Sequence, residues 1–215
     1  MMSRSLRVAV AALLVVPGWL GAQVRGLPVV ASGVSAGPSL GAFYGTANDD
    51  AGGTSTVGAS LGTGLGPLSL TALISRGAPL TGDDAVWSRG LAVAVAVFGG
   101  PLVPFRVTAQ AGVATWNRGV VDNLHVPVAL GLAATIPNPA FAIRPWLAPR
   151  VSFRRSSFSA ITEVSETDTN LGVSGGIDLA FLNGLSVRAA YDREFVDGAS
   201  PGILSLGFGY ALGRR

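Results

Sequence analysis

From Gly90 onward the chain alternates with a period of two. Leu91, Val93, Val95 and Val97 fall on one side, and Ala92, Ala94 and Ala96 on the other. Successive side chains of a strand point to opposite faces, so this stretch predicts a β-strand with one bulky apolar face and one face of small residues. The same pattern recurs. Leu68, Leu70, Ala72 and Ile74 oppose Ser69, Thr71 and Ser75, and Phe105, Val107, Ala109, Ala111 and Val113 oppose Arg106, Thr108, Gln110 and Gly112. Further runs are centred on Leu124 to Leu132, Phe141 to Phe153, Leu171 to Phe181, Leu185 to Tyr191 and Leu204 to Leu212, with two weaker ones over 34–45 and 54–64. The sum is about ten strands, or eight if the two front runs merge or lie outside the sheet. Several approach the ~9–11 residues that a tilted strand needs to cross a bilayer.

The small residues decide which face is inside. In a soluble sandwich the bulky face packs inward and the other meets water; in a membrane barrel the bulky face meets lipid and the other lines the interior. Gly and Ala opposite Leu, Val and Phe make a poor solvated surface but fit the crowded interior of a narrow barrel. Composition agrees. Charged residues are 13% of the chain, against about a quarter in soluble domains, and the mean hydropathy is positive. The 30 Gly and 13 Pro argue against a bundle of membrane-spanning helices. The connections alternate between tight and long, as in barrel hairpins. Tight ones are Gly64-Leu65-Gly66-Pro67, Gly99-Gly100-Pro101, Pro137-Asn138-Pro139 and Leu182-Asn183-Gly184; long ones are 47–53, 77–85, 117–123, 156–168 and 196–201. The long ones collect Asp49, Asp50, Asp83, Asp84, Asp122, Glu163, Glu166, Asp168 and Asp197. Tight turns, with both termini, would face the periplasm. Phe105, Phe141, Phe181 and Tyr210 would form one aromatic girdle, and Trp87, Phe153 and Tyr191 the other. Phe98 breaks the parity of its strand and would point inward unless a bulge intervenes.

The first 22 residues read as a cleaved secretory signal peptide. Arg4 and Arg7 precede an apolar run from Val8 to Val16, Pro17-Gly18 break it, and Leu20-Gly21-Ala22 offers a cleavage site. A short segment over 23–33 would follow, then the barrel over 34–213. Every basic residue is Arg; without the leader, basic and acidic residues nearly balance, and no basic stripe interleaved with aromatics suggests nucleic acid. With no Cys, disulfides and thiolate metal sites are excluded.

Candidate chemistry is sparse. The single histidine, His125, has Pro127 two residues on, where a lipid-deacylating barrel would carry a Ser nucleophile, so it reads as an interior or rim residue. Asp83 and Asp84 form an acidic pair near a rim with nothing further to mark a protease. No catalytic residue, metal or cofactor is expected. Oxygen ligands in the acidic loops suit Ca²⁺ or Mg²⁺, but the spacing of a calcium loop is absent. Gly62-Thr63-Gly64-Leu65-Gly66 precedes a strand rather than a helix and is turn chemistry. The inward charges are more informative, because ions inside a narrow barrel are costly unless paired. If Leu182-Asn183-Gly184 is a three-residue hairpin loop, Asp178 lies opposite Arg188. A second network would join Arg144, Arg150 and Arg106 with Asp192 or Glu194.

Over nearly the whole mature chain this pattern resembles the small outer-membrane β-barrel proteins of Gram-negative bacteria. The run Leu204-Ser205-Leu206-Gly207-Phe208-Gly209-Tyr210-Ala211-Leu212 is similar to that family's carboxy-terminal assembly signal, with Leu212 in the final aromatic position and Gly213-Arg214-Arg215 following. Arg144-Pro145-Trp146-Leu147 looks like its Arg-Pro-aromatic strand opening. The resemblance implies an all-β, up-and-down antiparallel transmembrane barrel in the outer membrane. Its partners would be outer-membrane lipid, lipopolysaccharide and, through the last strand, the barrel-assembly machinery. A barrel of this size has an interior largely filled by side chains. The expected role is therefore structural or surface-interacting, ahead of a narrow porin-like solute pathway or a lipid- or peptide-hydrolysing barrel enzyme.

Overall fold

A computed structural model describes residues 37–79, 85–99, 103–158 and 164–212; the expected leader, the 23–33 segment and the pair Asp83-Asp84 lie outside the described residues. The strands are β1 (Ser39–Ala47), β2 (Thr54–Leu65), β3 (Leu68–Pro79), β4 (Val86–Phe98), β5 (Phe105–Arg118), β6 (Val121–Ala134), β7 (Ile136–Pro137), β8 (Phe141–Phe158), β9 (Val164–Phe181), β10 (Leu185–Phe195) and β11 (Gly202–Ala211). Each pairs antiparallel with its neighbours, β1 pairs with β11, and β6 pairs with β8 past the two-residue β7. Ten long strands thus close an up-and-down barrel. Closure leaves no sheet edge, the condition for a β-structure to stand in hydrocarbon.

Parity sorts the side chains as the small-residue argument requires. Leu40, Leu70, Leu91, Leu130, Leu147, Ile177 and Leu206 are exposed on the outer wall, while Ser69, Ser88, Thr108, Gln110, Ser174 and Ser205 are buried within. Trp87, Phe105, Phe153, Tyr191 and Tyr210 are likewise exposed outward, and Phe141 meets Phe181 across adjacent strands with ring centroids 6.0 Å apart. Phe98 does not point inward. The β4–β5 register shifts between Ala96 and Phe98, and this bulge returns the ring to the outer wall, stacked on Phe105 at 5.5 Å. Inside, Trp116 packs with Val86, Ala114 and Phe43, and Trp146 with Ala129, Ala148 and Ala190. The Phe43 ring lies so close over Gly207 that a Cβ there would sit 2.7 Å from it.

Several long connections prove shorter than their polarity suggests. The 117–123 segment is a hairpin in which Arg118 pairs with Val121, and the 156–168 segment is mostly ladder, pairing down to Phe158 with Val164. Beyond the bilayer a strand can carry polar residues on both faces, so alternation fades while pairing continues. At the long-connection end, the Asn48 side chain ties the β1–β2 and β10–β11 connections together. It donates to the Ser200 carbonyl at 2.9 Å and accepts from Gly202 N–H at 2.9 Å.

The outer wall supplies a direct test. Arg placed mid-bilayer on the lipid face costs about 2–4 kcal/mol, falling toward zero near the interfaces. Leu130→Arg should lower unfolding stability in liposomes by that amount. Leu182→Arg, in a short turn, should change it little. Equal, small effects at both positions would mean that the outer wall does not face lipid.

Candidate functional site

The candidate site is the ionic ladder on the inner face of β8, β9 and β10. Residues two apart share a face, so β8 turns Arg150, Ser152 and Arg154 inward, β9 turns Ser174 and Asp178, and β10 turns Arg188, Asp192 and Glu194. Phe181 and Leu185 flank the turn at Leu182-Asn183-Gly184 and set Asp178 in register with Arg188. The guanidinium grips the carboxylate with both arms, Nε to Oδ1 at 2.7 Å and Nη2 to Oδ2 at 2.8 Å. Trp146 Nε1–H donates to the same Oδ1 at 3.2 Å, and the Arg188 guanidinium lies 5.7 Å from the Trp146 ring centroid. Bidentate pairing and cation–π contact together fix the indole in place.

Arg150 crosses the width of β9 to reach β10. It donates from Nε to Ser152 Oγ at 3.0 Å and from Nη1 to Ser174 Oγ at 3.0 Å, and its Nη1 meets Asp192 Oδ2, which also accepts from Ser174 Oγ. The crossing depends on Gly172, where a Cβ would stand 3.0 Å from both Nε and Nη2. Nearer the long connections, Arg154 Nη2 donates to Glu194 Oε2 at 2.9 Å. His125 of β6 stands in register with Arg154 and is 0% exposed, as is Glu194; Asp192 is 1% exposed.

The expected grouping of Arg106, Arg144 and Arg150 with Asp192 or Glu194 is met in part. Arg150 takes Asp192, as expected, whereas Glu194 pairs with Arg154, which shares the parity of Arg150 but had no place in the expected grouping. Arg144 is in register with Asp178, and Arg106 with Ala133, both toward the short-turn ends of their strands. Trp146 was the other member not foreseen; its inward parity was the available signal. His125 lies within the wall's interior, out of reach of an external lipid or peptide. Among the described residues no group of three or more His, Cys, Asp or Glu could hold a metal ion.

No family model and no curated protein matches the chain. Solved structures do. The β domain of the Bordetella autotransporter BrkA is similar at 13% identity and a TM-score of 0.54, over 82% of this chain and 99% of that one. Neisserial surface protein A is similar at 14% identity and a TM-score of 0.41, over 82% and 98%. Ail, the attachment invasion locus protein of Yersinia pestis, is similar at 14% identity and a TM-score of 0.40, over 82% and 99%. The chain has the fold of the small bacterial outer-membrane β-barrel proteins, consistent with a place in the outer membrane.

Removing one partner of a buried ion pair strands the other, at about 3–5 kcal/mol, whereas replacing both by apolar residues is often neutral. Glu194→Gln should therefore lower the urea midpoint far more than the double change Arg154→Met with Glu194→Leu. A double variant as unstable as the two single effects added together would show that the pair is not coupled.

Proposed function

We propose that this protein is a closed, non-conducting outer-membrane barrel with a structural or surface-interaction role. The observation that carries this reading is the burial of Asp192, Glu194 and His125 on the face that lines the lumen. In a water-filled channel, ionic side chains projecting from the wall would be wet. Here Asp192 meets Arg150 and Ser174, and Glu194 meets Arg154, within the wall. Such an interior braces the wall and leaves no route for a solute.

What the barrel offers to the outside is its long-connection end. Strands β8 and β9 are 18 residues each, well beyond the ~9–11 that span a bilayer. Their paired ends would stand clear of the membrane, carrying Arg155, Glu166 and Asp168. This polar hairpin is suited to lipopolysaccharide headgroups or a surface partner, and the alternating last strand β11 to recognition by the assembly machinery. The buried position of His125 gives no support to a hydrolytic role.

Reconstitution into planar bilayers at high salt tests the reading. The expected outcome is a quiet membrane from correctly folded protein. Uniform conductance steps whose size changes on Asp178→Asn or Glu194→Gln would overturn it in favour of a narrow solute pathway.

A further inference from the structure

Closure removes sheet edges within the bilayer, but above it the rim is uneven and one strand edge stands open. Strand β9 pairs with β8 over its whole length, from Val164↔Phe158 to Phe181↔Phe141. With β10 it pairs only from Ala180 to Leu171, because β10 ends at Phe195 and turns away through the Val196↔Ala199 bridge. The stretch 165–169 therefore has β8 on one side and, among the described residues, no strand on the other. All of its residues are exposed. Such an edge is a row of unpaired N–H and C=O groups that another chain can extend.

The neighbouring ladder fixes which groups face the opening. Glu194 N–H donates to the Pro201 carbonyl at 3.0 Å, so Glu194 turns its backbone groups to β11. Its neighbours Arg193 and Phe195 turn theirs to β9, opposite Val173 and Leu171. Backbone groups alternate sides along an antiparallel strand. Ser165, Thr167 and Thr169 thus present N–H and C=O to the opening, while Glu166 and Asp168 direct theirs to β8, opposite Ser156 and Arg154. A strand added antiparallel would exchange hydrogen bonds with the odd positions. Opposite Glu166 and Asp168 it would form non-hydrogen-bonded pairs, with Cα atoms about 4.5 Å apart, where side chains come closest. Among the described residues neither carboxylate has an ion pair.

We propose that this edge is a docking site for an extended basic segment of a surface partner, which adds as one further strand beside β9 and sets Lys or Arg opposite both Glu166 and Asp168. Charge selects the occupant. A second copy of this chain pairing through the same edge about Thr167 would set Glu166 against Asp168 twice, and like charges directly opposed are destabilising. A cationic strand makes the same two contacts attractive. The main chain supplies affinity and alternate side chains supply specificity, as in strand addition generally. The proposal takes from the surface-interaction reading only that the β8–β9 hairpin stands clear of the membrane; a conducting lumen would leave it intact.

The test is amide hydrogen exchange of the full chain in lipid nanodiscs, with the capped peptide Thr-Lys-Thr-Lys-Thr-Lys-Thr as probe. Before the peptide is added, the amides of Glu166 and Asp168 should be protected by β8, and those of Ser165, Thr167 and Thr169 should exchange freely. Protection of the odd positions at this stage would mean that the edge is already covered or lies in the bilayer, and overturns the proposal. Saturating Lys peptide should then slow exchange at Thr167 by roughly tenfold or more, and the counterpart with Glu in place of Lys should not. The double change Glu166→Lys with Asp168→Lys should reverse that preference. A Lys peptide N-methylated at its threonines keeps its charge but loses the N–H groups that would face β9, so it should leave Thr167 unprotected in the wild type. No protection by the Lys peptide, equal protection by the Glu peptide, or protection that survives N-methylation overturns the proposal.

Discussion

A backbone in hydrocarbon must satisfy its own hydrogen bonds, because no water is there to do so. Closure answers that demand for this chain, and the rest of the architecture descends from it. Once ten strands return on themselves, every strand residue has one face toward lipid and one toward the axis, so the period-two pattern becomes a map of solvent. Leu, Val and Phe take the lipid, and Gly, Ala, Ser and Thr crowd the axis. The ionic residues have nowhere to go but inward or beyond the bilayer.

Ions sent inward must find partners. The arrangement on β8–β10 meets that need with reach as well as proximity. Arg188 and Asp178 are cross-strand neighbours, but Arg150 and Asp192 lie on strands that do not touch, and the long guanidinium side chain bridges the intervening β9. Gly172 leaves room for the bridge and Ser174 supplies a hydrogen bond on the way. This is a physical reason for basic residues here to be Arg, whose planar fork also satisfies several acceptors at once.

Parity and turn length made most of the fold legible in the chain. Alternation alone sorts Leu130 from Ala129, and a three-residue turn at 182–184 determines which residues of β9 and β10 stand side by side. Three things were not legible. The β4 bulge that returns Phe98 to the outer wall inserts an extra residue with no turn chemistry to announce it. The hairpins past the membrane lose alternation because both faces meet water, so 117–123 and 156–168 look like loops while remaining ladder. The match of Arg154 to Glu194 depends on the stagger of β8 against β10 through β9. The β8–β9 connection is too long for its length to fix a register.

The β1–β11 and β6–β8 pairings differ for a reason rooted in chain connectivity. β1 and β11 are the ends of the barrel, joined by no turn, so only pairing and loop contacts hold them together. They pair without interruption from Ser39↔Ala211 to Ala47↔Ile203, and Asn48 fastens the connections above. β6 and β8 are consecutive long strands linked through the 135–140 connection, which keeps them adjacent at small entropic cost. A wall can lose ladder bonds with least risk where the covalent chain already prevents separation, and that is where Pro145 and Pro149 are found. Each of them removes a donor and leaves at most an unpaired carbonyl, which is less costly than a stranded N–H.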